Sequence, residues 1–261
     1  MACACTISVL AAQAAEKKPD PENPIGGIVS VPIETVVDFG APNGSAVIVS
    51  VAPFLPVRVG DWNLIHRPVV PLVTIDGQVA GKPGIPEGGE TDDREIGLGD
   101  LNYNLYFAPA DTGDVAWGLG PSLLLPTASE DAMGTGKWSA GPTGMLFLRR
   151  NLWTSLIFAR QLWSFAGDDD RPDVNQFVVR PLVIRKLQDR WFLFSDPVIH
   201  ANWNREQDQR WTVPLGGGAG RLVRLGGQPT ALRLGAFYNV VAPDGAPKAE
   251  LKLTVQFVFP K

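Results

Sequence analysis

The chain has 261 residues, a formal net charge of −4 and an apolar content of 45%, with a mean hydropathy of +0.04. That length holds one large all-β domain or two small ones; the hydropathy is too low for a bundle of membrane helices, and no stretch approaches the roughly 20 unbroken apolar residues a spanning helix needs. No basic stripe or aromatic-interleaved basic patch is present, which argues against nucleic acid as a partner.

Both cysteines, Cys3 and Cys5, stand at the extreme N-terminus, followed by an apolar run over 6–12 and the tripeptide Ala12-Gln13-Ala14. This reads as the end of a secretory signal, residues 1–14, cleaved after Ala14. The positive segment that normally precedes such a run is missing, as in a truncated signal. A lipoprotein reading of Cys3 or Cys5 is weaker, because little apolar sequence precedes them. After cleavage the chain has no cysteine, hence no disulfide, thiol nucleophile or thiolate metal site. Residues 15–29 are charged and Pro-rich and read as a periplasmic leader, with an outer-membrane barrel over 30–261.

Apolar-periodic segments then follow near 30–40, 45–59, 62–73, 97–109, 115–126, 137–148, 152–165, 174–186, 190–203, 209–224, 229–242 and 248–259. In the last, Leu251, Leu253, Val255, Phe257 and Phe259 point one way and Glu250, Lys252, Thr254 and Gln256 the other, as strand side chains alternate faces. In the fourth, Leu101, Tyr103, Leu105 and Phe107 oppose Asp100, Asn102 and Asn104. In the eleventh, Leu232, Leu234, Ala236, Tyr238 and Val240 oppose Arg233 and Asn239. A soluble sandwich also alternates, so the connections decide. Tight turns at Gly60-Asp61, Arg149-Arg150-Asn151, Gln188-Asp189 and Gly226-Gly227-Gln228 alternate with longer loops near 74–96, 127–136, 166–173, 204–208 and 243–247. Short turns on one rim and long loops on the other are the mark of an outer-membrane barrel. The sequence therefore predicts an all-β fold, a single antiparallel transmembrane β-barrel of about twelve strands.

Prolines within the segments, among them Pro53, Pro56, Pro68, Pro121, Pro142, Pro181 and Pro214, cannot donate to a ladder and predict bulges or kinks in the wall. The run Gly216-Gly217-Gly218 reads as a bend or a tight packing point; it lacks the spacing of a phosphate loop. The tryptophans Trp62, Trp138, Trp153, Trp163, Trp191, Trp203 and Trp211 read as interfacial girdle residues, a minority of which could line a hydrophobic path.

Several blocks carry a family resemblance. They are Trp117-Gly118-Leu119-Gly120-Pro121 running to Leu125-Pro126-Thr127-Ala128, then Lys137-Trp138 to Gly141-Pro142-Thr143. Trp163-Ser164 to Ala166-Gly167-Asp168-Asp169-Asp170-Arg171-Pro172-Asp173-Val174 follows, then Gly226-Gly227-Gln228-Pro229 and the ending Phe257-Val258-Phe259-Pro260-Lys261. In that order they resemble the bacterial transporter-like barrel family associated with the meta pathway of phenol degradation, over most of the chain after about residue 24. The resemblance implies an outer-membrane location and movement of small organic or aromatic compounds. The ending is similar to the aromatic strand read by the barrel-assembly machinery, with Phe257 and Phe259 as the signal, although Pro260 and Lys261 depart from the usual pattern.

Among site candidates, a lumen facing away from lipid would receive Asp100, Asn102, Asn104, Gln176, Arg180, Arg233, Glu250, Lys252 and Gln256. These could border a path or ligand cavity occluded by the loop near 74–96, or form a salt-bridge network that plugs the barrel. The acidic loop Asp168, Asp169, Asp170, Arg171, Asp173 has oxygen ligands suited to calcium, but not the spacing of an EF-hand; it reads rather as a solvated loop, with Arg171 pairing locally or tethering it to another strand. A Ser–His hydrolase built on Ser195 and His200, with Asp196 beside them, is a minor reading, because Ser195 and His200 face opposite sides of a strand and no G-x-S-x-G elbow exists. The two distant histidines, His66 and His200, make a weak metal site. The reading is thus a non-enzymatic channel for small organic solutes, without a cofactor or metal, with membrane lipid and the assembly machinery as partners. A sealed structural barrel, a lipid-modifying barrel enzyme and a soluble lipocalin-like binder stand as alternatives.

Overall fold

Period-two alternation over long segments lets one sheet present an apolar face to one side and a polar face to the other, and closure of that sheet removes its edges. The computed structural model of the chain describes residues 25, 27–86 and 91–259; the signal segment with Cys3 and Cys5, most of the leader, and Pro260 and Lys261 lie outside them. The described residues form fifteen antiparallel strand segments in one sheet. These are β1 (Val29–Phe39), β2 (Gly44–Val51), β3 (Leu55–Val59), β4 (Trp62–Gly77), β5 (Glu95–Leu98), β6 (Leu101–Pro109), β7 (Val115–Leu125), β8 (Lys137–Arg150), β9 (Trp153–Gly167), β10 (Asn175–Lys186), β11 (Trp191–Ser195), β12 (Ile199–Asn202), β13 (Trp211–Leu225), β14 (Gln228–Val241) and β15 (Ala249–Phe259). β2 with β3, β5 with β6, and β11 with β12 each make one stave. β1 pairs with β15 along its whole length, so the sheet closes as an antiparallel barrel of twelve staves.

The interruptions inside staves have a common cause at two places. β2 and β3 both pair with β4, and the register of the flanking pairs sets Pro53 opposite Pro68 in the gap between them. β11 and β12 both pair with β10, and Pro197 falls opposite Pro181 in the same way. Two facing prolines have no N–H to exchange, which removes both ladder bonds wherever the pair stands at a hydrogen-bonded position. Pro214 marks a register shift between β13 and β14. The expected kinks do not appear everywhere: Pro121 and Pro142 face each other within an unbroken β7–β8 pairing, and Pro56 pairs with Ile65 in register.

Around the gap at 196–198 the wall is thin on its other side too. Between the pairs Phe194–Gly218 and His200–Thr212 no ladder joins 195–199 to 213–217, and the Ser195 hydroxyl bridges to the Gly216 carbonyl at 2.8 Å. The glycine run permits this approach. A Cβ on Gly216 or Gly218 would fall about 2 Å from a β14 carbonyl oxygen.

One rim carries tight turns and the other mostly long loops. Gly226 and Gly227, with φ of 57° and 86°, make the two-residue turn between β13 and β14 that needs positive φ at both positions. The outer face is an apolar belt in which Leu119, Leu215, Leu234, Leu251 and Leu253 are exposed. Trp62, Trp153 and Trp191 stand exposed at strand starts on the short-turn rim, and Trp138 and Trp163 on the long-loop rim. Trp203 and Trp211 pack edge-on at the latter. A closed barrel wearing leucines outward and tryptophans at both ends is built for a bilayer, and its place is the bacterial outer membrane.

Candidate functional site in the barrel interior

The interior face holds charge where the outer face holds leucine. Arg180, on β10, reaches across the barrel to Glu34 on β1, donating from Nη1 to Oε1 at 3.1 Å and again from Nη2. Its Nε donates to Asp196 Oδ1 at 2.6 Å, and Nη2 to the other carboxylate oxygen. Asp196 follows the alternation that turns Phe192 and Phe194 inward, and it is 1% exposed. The Lys252 ammonium donates to the Asp196 carbonyl at 2.8 Å and sits 4.7 Å from the Phe237 ring centre. Buried carboxylates flanking one guanidinium satisfy each other in a way water would otherwise have to.

Nearer the long-loop rim a second cluster closes the mouth. The segment 78–86 folds inward, with Val79 and Ile85 in an apolar group with Ile75, Val73 and Met133. Lys82 Nζ lies 2.5 Å from Asp38 Oδ1 and 2.9 Å from Glu250 Oε2, and the Gly81 carbonyl accepts from Thr212 Oγ1 at 3.3 Å. Burial works against the Lys82 ammonium, but the two carboxylates outweigh it and hold its pKa above the ordinary lysine value.

A polar ladder on the opposite wall joins β6, β7 and β9. Asn104 Nδ2 donates to Asn102 Oδ1 at 2.9 Å and Asn102 Nδ2 to Ser122 Oγ at 3.0 Å. Arg160 donates to Asn102 Oδ1 and, at 3.5 Å, to Gln176 Oε1. Of the other interior candidates, Gln256 borders the inner cavity described below. Asp100 is spent at the rim, where Oδ2 accepts from the Thr135 amide at 2.6 Å and its hydroxyl at 2.8 Å. Glu34, Arg67, Asp38, Lys82 and Arg160 were not anticipated, and Asp196 was anticipated only beside Ser195 and His200. Glu34 and Arg67 were within reach of the same period-two argument, since Glu34 shares a face with Ser30 and Asp38, and Arg67 with Asn63 and Ile65. Nothing local marks Lys82.

Two cavities lie within the wall. One, of about 200 Å³ near the long-loop rim, is bordered by Lys82, Ile85, Gln176, His200, Asn202 and Asn204. The other, of about 160 Å³, lies nearer the short-turn rim; its lining is largely apolar, with Phe54, Phe158, Leu182 and Phe192, and Arg67, Arg180 and Arg233 reach it. Ile25, fully buried, packs inside the barrel with Phe54, Ile65, Tyr106 and Phe147, its carbonyl accepting from Asn63 at 3.1 Å.

The acidic loop departs from the local pairing expected of it. Arg171 donates instead to the carbonyls of Asp131 and Gly134 in the loop between β7 and β8, at 2.6 and 2.5 Å. Asp168 accepts from the Asp170 amide and Asp173 from the Ser164 hydroxyl, each at 3.0 Å, while Asp169 is exposed. Among the described residues no three His, Cys, Asp or Glu side chains converge on a metal position. Ser195 is bonded to Gly216 on the outer side of the wall, whereas His200 is buried. His66 is bonded to the Tyr103 hydroxyl at 2.5 Å. Phe257 and Phe259 close the last strand against Val31 and Val29.

The class this fold defines is the outer-membrane β-barrel. No family model matches the sequence, and no curated protein matches it. Among solved structures, the chain is similar to an outer membrane channel from Pseudomonas putida F1, with a TM-score of 0.63, 12% identity, and coverage of 89% of this chain and 96% of that one. A monoaromatic hydrocarbon channel, CymD, superposes more loosely, with a TM-score of 0.49, 8% identity, and coverage of 92% and 91%. At these identities the likeness is one of fold.

Proposed function

We propose that the protein is a channel for passive passage of small, hydrophobic or aromatic organic molecules across the outer membrane, with no chemistry performed. The observation that carries this reading is the pair of interior cavities, the inner one lined mainly by apolar side chains with Arg67, Arg180, Arg233, Glu34 and Asp196 among them. A barrel of about twelve strands has more room than its side chains need, and an apolar chamber with a few polar groups suits an organic solute. The short-turn rim is taken as periplasmic and the long-loop rim as external. Solute would enter past the segment 78–86, which Lys82 fastens across the mouth as a gate. It would leave along the lumen, or sideways where prolines and glycines leave 195–199 unpaired with 213–217. Asn102, Asn104, Gln176, Arg180, Arg233, Lys252 and Gln256 would set selectivity. Phe257 and Phe259 would serve the assembly machinery. The resemblance to barrels of the phenol meta pathway favours aromatic solutes.

The second reading, a sealed structural barrel, is favoured by the ion-paired network of Glu34, Arg180 and Asp196 that crosses the lumen. Uptake of labelled toluene by intact cells with and without the protein, together with planar-bilayer conductance, separates the two. Faster uptake and discrete conductance steps support the channel. Neither effect, from a barrel that migrates faster unboiled than boiled, supports the sealed form.

A further inference from the structure

Three arginines reach the inner cavity, and they are not equivalent. Arg180 is fully engaged by Glu34 and Asp196. Arg233, on β14, is 7% exposed, and its buried Nε has no acceptor; no hydrogen bond or ion pair joins its guanidinium to another described side chain. Its row across the sheet runs through Thr254 to Glu34, yet Glu34 is taken by Arg180. Arg67, on β4, also has a buried Nε without an acceptor. Its guanidinium is held between two rings, 5.1 Å from the centre of Phe54 and 5.0 Å from that of Phe158. Aromatic faces steady a cation but leave its N–H groups free to donate in the ring plane.

A buried guanidinium without a counter-charge is costly to keep, and a charge left unpaired inside a membrane protein marks a functional position by default. The carboxylates that line this cavity, Glu34 and Asp196, both bond directly to Arg180 and reach Arg67 and Arg233 only through longer-range attraction, so three guanidiniums face two carboxylates and one net positive charge remains beside an apolar chamber. A planar oxyanion that accepts two parallel N–H bonds is the natural complement of a guanidinium. Phe54, Phe158, Leu182 and Phe192 offer the body of such a ligand an apolar surface.

We infer that the inner cavity is a binding site for small organic carboxylates with an apolar or aromatic body, the carboxylate seated on Arg233 with Arg67 beside it. This deepens the channel reading and rests on it only for the purpose of the site, since binding can be read without passage. The site makes the barrel prefer an ionised aromatic acid over its neutral counterpart.

The test is calorimetric titration of the detergent-purified full chain at neutral pH, with benzoate and with benzamide, its uncharged isostere. Benzoate is expected to bind to one site, and benzamide at least about tenfold more weakly. Arg233→Gln should weaken benzoate by about tenfold or more and leave benzamide unchanged; Arg233→Lys should restore part of the loss, since a point charge replaces the fork. Arg67→Gln should weaken benzoate to a lesser extent, and it carries the test alone if Arg233→Gln fails to give the fast unboiled band of a folded barrel. Equal affinity for benzoate and benzamide, or benzoate affinity untouched by both glutamine variants, overturns the inference. Conductance of the same preparation reports on the channel separately. Arg233-dependent benzoate binding without any conductance sinks passage and leaves the site, whereas conductance without benzoate binding sinks the site alone.

Discussion

The two ends of the barrel interior handle buried charge in opposite ways. Toward the long-loop rim the charges borne by the loops have partners: Lys82 joins Asp38 and Glu250, and Arg171 ties one loop to the next through carbonyls. Toward the short-turn rim Arg180 is fully engaged, but Arg67 and Arg233 are left over around an apolar chamber. Satisfied charge fastens an element in place, whereas surplus charge awaits something from outside. The first region reads as a closure and the second as a receptacle.

The comparison breaks most visibly at Arg180. Arg180→Met leaves Glu34 and Asp196 buried without the cation that bonds to both and should cost about 3–5 kcal/mol, seen as a large drop in the temperature at which the fast unboiled band converts to the slow one. Lys82→Met should come next, at about 3 kcal/mol, and should also free the segment 78–86, so that single-channel conductance rises. The same contact has a pH signature. Lys82 is held above its ordinary value, so its contribution is complete below the free amine's pKa of about 10.4 and is lost only as pH climbs through the raised value. Wild-type conductance is expected to be flat from neutral to mildly alkaline pH and to rise in strongly alkaline solution; a rise already near pH 8 would break the latch account.

Gly218→Ala tests the wall rather than the lumen. Its Cβ would meet the Leu234 carbonyl oxygen at 2.0 Å, so backbone must move, at about 1–3 kcal/mol, and the conversion temperature should fall accordingly. Arg171→Ala removes two bonds near the surface and should cost about 1 kcal/mol, with faster proteolysis of the 126–136 loop as its readout. Arg233→Gln is the sharpest contrast with Arg180→Met. Removing an unpaired buried cation should leave stability unchanged or slightly higher, and a loss comparable with that of Arg180→Met would show that Arg233 has a structural partner after all.

Much of the wall was legible in the chain. The alternation of Leu251, Leu253 and Val255 against Glu250, Lys252 and Thr254 sets the face of the closing strand, because a strand's side-chain period leaves no freedom once one face is apolar. Tight turns such as Gly226-Gly227 set the rim. The prolines foretold interruptions, but not that Pro53 would face Pro68 or Pro197 face Pro181, because cross-strand register depends on pairing and not on either strand alone. The interior was half legible. Parity placed Arg233 and Lys252 on the inward side, yet which cation meets which carboxylate depends on contacts such as Arg180 with Glu34, 146 positions apart. Lys82 lay in a loop with no period to read, and its insertion is a tertiary event.

The channel is tested most directly by planar-bilayer recording of wild type and Lys82→Met side by side, each first checked for the faster unboiled band. The account predicts small discrete conductance steps from the wild type and larger ones from Lys82→Met, as the loop leaves the mouth. Silence from both correctly folded barrels would contradict it and assign the interior network to sealing the barrel.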